Sequence, residues 1–213
     1  MKNNILLIFA LFSYTLNSQT AYFKTGLNKT TYDYTNSLGK SNDNVQSSSG
    51  NFYEIGYAFP LELSKRTRSL GRYSRLYFKT GLSLNEYNAT GGNKIDNYKW
   101  DSKYLGLRTD LEYIFLGADL IALSFDGGLG FEFLLEGKQK IGGNNYNLKD
   151  SKEFNGLYIT PRFGLNLSVN FSNEVSLLVG HNFSKAISAS SSGDETVSFE
   201  NSQLNFGIII QIF

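Results

Sequence analysis

The sequence predicts an all-β chain, an eight-stranded antiparallel up-and-down transmembrane β-barrel with a filled polar lumen. Three observations carry this. The stretch Leu157 to Phe171 sets Leu157, Ile159, Pro161, Phe163, Leu165, Leu167, Val169 and Phe171 on one face, and Tyr158, Thr160, Arg162, Gly164, Asn166, Ser168 and Asn170 on the other. Side chains alternate in direction along a strand, so one face is wholly apolar and the other polar. The stretch is also about twice the length of an ordinary soluble strand. Second, the same alternation recurs along the chain in eight segments. Third, the connections between them run long, short, long, as in outer-membrane barrels with long outside loops and short periplasmic turns.

The bulk properties agree. At 213 residues the chain fits one domain, and its net charge of +1 gives no reason to expect nucleic acid as a partner. Mean hydropathy is negative, and past the N-terminal segment no apolar run is long enough for a membrane helix. The chain has no Cys, which excludes disulfides, thiolate metal sites and a cysteine lipid anchor. Lys2, the apolar core Ile5 to Leu16 and the small residue Ser18 read in order as an export signal. Residues 1–18 are expected to be that signal and 19–213 the barrel.

The first expected strand is Ala21 to Tyr34, with Phe23, Thr25 and Leu27 opposite Tyr22, Lys24, Gly26 and Asn28. A polar run from Thr35 to Asn51 follows. The second, Phe52 to Leu63, sets Tyr53, Ile55, Tyr57, Phe59 and Leu61 against Phe52, Glu54, Gly56 and Ala58. A basic connection, Ser64 to Ser74, leads to the third, Arg75 to Tyr87, and a glycine-containing loop, Asn88 to Asn97, to the fourth, Tyr98 to Leu116. A tight turn at Gly117 to Asp119 precedes the fifth, Leu120 to Glu136. Gly137 to Glu153 reads as a long polar loop. The sixth strand is Leu157 to Phe171, the turn is Ser172-Asn173-Glu174, and the seventh is Val175 to Ile187. A Ser-rich loop, Ser188 to Val197, leads to the eighth, Ser198 to Phe213. Pro161 cannot donate a ladder hydrogen bond, so a bulge or rim position is expected there.

The polar phase of every strand contains glycine, as at Gly26, Gly56, Gly81, Gly106, Gly128, Gly164, Gly180 and Gly207. A narrow barrel has room inside only for side chains, and glycines relieve the crowding. The same phase carries Lys24, Lys79, Arg108 and Arg162 beside Glu54, Asp110, Glu112, Asp126 and Glu132. Charges removed from water must be paired. These nine are expected to form a structural network in the lumen, with Arg108 the partner of Asp110 and Glu112.

Catalytic chemistry has little to build on. There is no phosphate-binding glycine loop, no metal-ligand cluster and no cofactor motif. The one histidine, His181, falls on the outer face of the seventh strand near the outside loop, where a ring beside Phe183 suits the membrane interface. A lipid hydrolase could use it with Ser184 and Glu195, but Ser184 lies three residues on and should face the other way.

The signal segment, strands such as FDGGLGFEFLLE and YITPRFGLNLSVNF, and the final FGIIIQIF resemble the small outer-membrane β-barrel family, the PorT-like and OmpX-type eight-stranded barrels. The terminal aromatic Phe213 is similar to that family's sorting signal for the barrel-assembly machinery, although the apolar phase ends one residue earlier, at Ile212. The resemblance implies the cell outer membrane, contact with its lipid and lipopolysaccharide, and other outer-membrane proteins as partners. It implies a non-enzymatic accessory subunit of a larger secretion or assembly complex. A lipid A hydrolase centred on His181 and a small passive pore are the alternatives.

Overall fold

The computed structural model describes residues 19–35, 45–61, 75–92, 97–151, 153–189 and 196–212. The expected signal, the basic connection Ser64 to Ser74, Glu195 and Phe213 lie outside them. The strands are β1 (Gln19–Thr35), β2 (Val45–Pro60), β3 (Leu76–Gly92), β4 (Asn97–Gly117), β5 (Ile121–Ile141), β6 (Asn144–Asn147), β7 (Leu157–Asn170), β8 (Val175–Ser188) and β9 (Thr196–Ile212). Eight of them close into an antiparallel ring, β1-β2-β3-β4-β5-β7-β8-β9, with β9 pairing back to β1. Closure leaves the ring without a free edge, whose unpaired backbone polar groups lipid could not satisfy.

The ninth strand departs from expectation. The polar stretch expected as a loop from Gly137 is largely ordered. β5 continues to Ile141, turns through Gly142 and Gly143, and β6 pairs back on it. Both glycines have positive φ, 54° and 93°, as a two-residue hairpin turn demands. A single 3-10 turn, Leu148–Asp150, then drops Leu148 into the lumen. The other long connections are shorter than expected as well, since β2 begins at Val45 and β3 runs on to Gly92.

Pro161 also departs from expectation. β5 pairs regularly through it, Leu129 opposite Pro161. On the β8 side the registered pairs pass from Ile159–Ile187 directly to Arg162–Ser184 without an inserted residue. The missing donor is absorbed as a gap in one ladder, so neither a bulge nor a rim position is needed.

The wall carries two opposite polarities along its height. Toward the short turns at 118–120 and 171–174 the outward residues are apolar, with Ile55 62% and Leu165 58% exposed. The inward ones there are charged. Toward the other end the arrangement inverts. On β4 the outward series Phe115, Tyr113, Leu111, Leu107, Leu105 gives way to Lys103, Asp101 and Lys99, while inward Glu112, Asp110 and Arg108 give way to Tyr104 and Ser102. Apolar outside suits hydrocarbon, and apolar inside suits water. The strands therefore cross the membrane and continue beyond it as a water-exposed rim with its own core. That core packs Tyr32, Tyr87, Tyr104, Tyr158 and Phe199 with Leu148 and Phe154.

Bulges keep these phases aligned. Lys103 pairs with Glu136 but Tyr104 with Leu134, so Leu135 is the extra residue. Before it the odd positions of β5 face out; after it Glu136, Lys138 and Lys140 do. A second extra residue, Phe115, lies where Ile114 and Leu116 pair with Ser124 and Leu123.

Candidate functional site

The lumen gathers all nine expected charges. Lys24, Glu54, Lys79, Arg108, Asp110, Glu112, Asp126, Glu132 and Arg162 are all buried. They come from six different strands, and the inward phase of each strand puts them in one column. Glu54 is the hub. Its carboxylate meets Arg162 at 3.2 Å, Arg108 at 3.5 Å and Lys24 at 3.9 Å. Lys24 also faces Asp126 at 3.9 Å, Arg162 faces Asp110 at 3.6 Å and Lys79 holds Glu112 at 2.8 Å.

The expected partnership of Arg108 with Asp110 and Glu112 is corrected. Arg108 reaches Glu132 at 3.4 Å and Glu54 instead. Residues two apart on one strand stand side by side, about 6.8 Å apart along it. Side chains crossing a narrow lumen meet tip to tip, so pairs form between strands far apart in sequence. Arg162 and Glu54, 108 residues apart, are such a pair.

Neutral side chains complete the network. Arg108 donates from Nε to Ser83 Oγ at 2.9 Å and from Nη2 to Asn85 Oδ1 at 2.9 Å. Glu132 accepts from Asn85 at 3.0 Å and from the Tyr87 hydroxyl at 2.7 Å. Asn166 donates to Asp126 at 2.9 Å, and Ser124 to Glu112 at 2.6 Å. Ser83, Asn85, Ser124 and Asn166 follow the same inward alternation as the charges, which gives their face but not their role. Tyr87, on the same phase, joins the charge layer to the aromatic layer above it.

The two layers decide what the lumen can conduct. From the short-turn side a vestibule of about 400 Å³ opens inward, lined by Tyr22, Ala58, Lys79, Glu112 and Ser124 among others. Beyond it the remaining charges fill the bore. Above them the aromatic layer stacks, with Tyr32 and Phe199 ring centres 4.6 Å apart and Tyr158 and Phe199 4.9 Å apart. Among the described residues, no group of three or more His, Asp or Glu side chains is arranged to hold a metal ion.

On the outer wall, His181 lies near the top of the apolar belt, beside Leu204 and below the Lys185–Glu200 ion pair. Its ring meets Phe183 edge-on at 4.5 Å. Ser184 is turned to the lumen, where Asn201 reaches it at 3.5 Å. It is therefore on the opposite face of the wall from His181 and cannot be its partner. The partner is Ser202 of β9, whose Oγ is 3.0 Å from His181 Nε2. Sequence spacing could not reveal it, because the two meet only through the β8–β9 register. Glu195 lies outside the described residues.

No protein-family model matches the chain, and no curated protein matches it by sequence. Solved structures do. Neisserial surface protein A is similar at 13% identity, with a TM-score of 0.51 over 90% of this chain and 99% of that one. OprG of Pseudomonas aeruginosa is similar at 10% identity and TM-score 0.48, over 90% and 95% of the two chains. The outer membrane protease OmpT of Escherichia coli is similar at 8% identity and TM-score 0.48, over 93% and 98%. At 13% identity the likeness to Neisserial surface protein A is one of fold, and with its lipid-facing belt the chain is an eight-stranded β-barrel of the outer-membrane type.

Proposed function

We propose that the protein is a non-enzymatic, non-conducting barrel of the cell outer membrane. It acts through its surfaces as an accessory subunit of a larger outer-membrane assembly. The observation that supports this is the doubly filled lumen, charged below and aromatic above, which leaves the outer wall and the rim as the working surfaces. A secretion or assembly complex is the partner that the resemblance to PorT-like barrels implies. The test is purification from native membranes in mild detergent with a tag on the rim. A stoichiometric companion protein is expected; a lone monomer across several detergents would count against the subunit reading.

One observation favours a second reading. The His181–Ser202 pair sets a base against a nucleophile on the lipid-facing wall, the first two parts of an acyl hydrolase. Among the described residues, no third group is hydrogen-bonded to the imidazole to orient it. The outward carboxylate two residues before Ser202, Glu200, is held by Lys185 at 2.8 Å. Substituting His181→Ala and Ser202→Ala separately and comparing membrane lipid profiles decides this reading. Unchanged profiles are expected, and a lost deacylated species in both variants would revive the hydrolase.

A further inference from the structure

The vestibule at the short-turn end is blind. In barrels of this type the short turns face the periplasm, so its mouth opens there and the filled bore closes it on the other side. Tyr22 forms part of the floor. Its ring reaches across the inner wall toward β2 and β3, where a Cβ on Gly56 or Gly81 would lie 2.6 Å or 2.9 Å from its hydroxyl. The two glycines make room for it. Lys79 lies 5.4 Å from the centre of the ring and holds Glu112 at 2.8 Å. Ser124 donates to the other oxygen of that carboxylate at 2.6 Å. Tyr22, Lys79, Glu112 and Ser124 are all buried, yet all four line the vestibule.

The floor is neutral, because Lys79 and Glu112 cancel. The mouth is divided. Arg75 stands just before β3, on the same phase as Lys79. Glu174 sits on the turn between β7 and β8, about half-way round the ring from β3, and Asp119 on the turn between β4 and β5. All three line the mouth, all three are exposed, and none makes an ion pair among the described residues. From Arg75 to Lys79 the strand rises roughly 13 Å, which sets the depth. Ala58, Ile114 and Ile209 give the walls an apolar part. A volume of about 400 Å³ with apolar walls and a few convergent polar groups has the make-up of a small-ligand pocket.

We propose that the vestibule binds a short zwitterionic peptide, two or three small residues long, from the periplasm. Its carboxylate meets Arg75, whose planar fork pairs with a carboxylate through two charge-assisted hydrogen bonds. Its ammonium group meets Glu174. A simple anion would leave both mouth carboxylates unmatched, and a simple cation would leave the guanidinium unmatched; a ligand charged at both ends answers both. Two or three extended residues span roughly 7–10 Å, within the depth of the vestibule. Small side chains fit against Ala58, Ile114 and Ile209. An ammonium group has three donors, so Lys79 has further ones for a peptide carbonyl beside the one aimed at Glu112. Because the bore is filled beyond Tyr22, a peptide leaves by the mouth it entered, and the site retains its ligand rather than passing it on. The site does not rest on the subunit reading and adds a third working surface to the outer wall and the rim.

The test is calorimetric titration of the full-length protein in lipid nanodiscs with three probes: L-alanyl-L-alanine, its N-acetyl form and its C-terminal amide. Arg75→Gln and Glu174→Gln, both at exposed positions, are compared with Lys185→Gln on the rim. The free dipeptide is expected to bind, and blocking either end should weaken it about tenfold, the worth of one hydrogen bond to a charged group. Arg75→Gln should weaken the dipeptide to the same extent and leave the amide unchanged. Glu174→Gln should weaken the dipeptide likewise and leave the N-acetyl form unchanged. Lys185→Gln should change nothing. Failure of the dipeptide to bind would overturn the site, as would both blocked forms binding as tightly as the free one. Dipeptide binding that neither mouth variant weakens would overturn the roles of Arg75 and Glu174.

Discussion

Arg108 shows most clearly what a single lumen residue does. It is 1% exposed and bridges Glu54, Glu132, Ser83 and Asn85 through three different guanidinium nitrogens. Arg108→Ala should therefore cost about 3–5 kcal/mol in urea unfolding from vesicles, because two buried carboxylates lose a counter-charge. Arg108→Lys should recover little of it, since one ammonium cannot replace a fork of donors. The inner charges themselves were legible from alternation alone. Their partners were not, because those lie across the bore. Glycines work at the same scale. Gly56 and Gly81 stand opposite one another, and a Cβ on Gly81 would lie 2.5 Å from the Ile55 carbonyl oxygen and 2.9 Å from the Tyr22 hydroxyl. Gly81→Val should abolish folding, seen as failure to reach the heat-resistant compact form on a gel.

At the scale of the element, strand length and phase carry the design. β4 and β5 each run 21 residues, far more than hydrocarbon alone requires. The excess builds the rim. The sequence showed where β5 leaves its first apolar phase but not that it continues. A bulge shifts the alternation by one, and a phase change reads as an ending. Deleting Leu135 tests this. Glu136 would then follow inward Leu134 directly and take the outward position that Leu135 leaves, so the alternation becomes regular and Lys138 and Lys140 keep facing out. The variant is expected to keep the protection of the rim amides in hydrogen exchange. Loss of rim protection, with the belt of β5 below it still protected, would show that Leu135 is not the extra residue.

At the scale of the whole molecule, the same wall serves two solvents. Its lower part turns charge inward and oil outward; its upper part reverses both. The bore is filled at both levels, so the protein in a planar bilayer should give no stepwise conductance above the bare membrane. Taking the central ring out of the aromatic layer with Phe199→Ala should leave conductance absent, because the charged layer below still fills the bore, while stability falls by about 3–5 kcal/mol. Discrete openings in the unaltered protein would contradict the sealed lumen and favour a pore.

Alternation in the sequence was enough to determine the barrel, the side of each strand that meets lipid and the identity of the buried charges. Those features depend only on the two-residue period of a strand, which is local. Tertiary structure alone decided the partners of Arg108, the pairing of His181 with Ser202 rather than Ser184, the ninth strand and the row of lysines facing out above the belt. Each depends on register between strands and on where a bulge resets it, and register is a property of pairs of strands, set only when the ring closes.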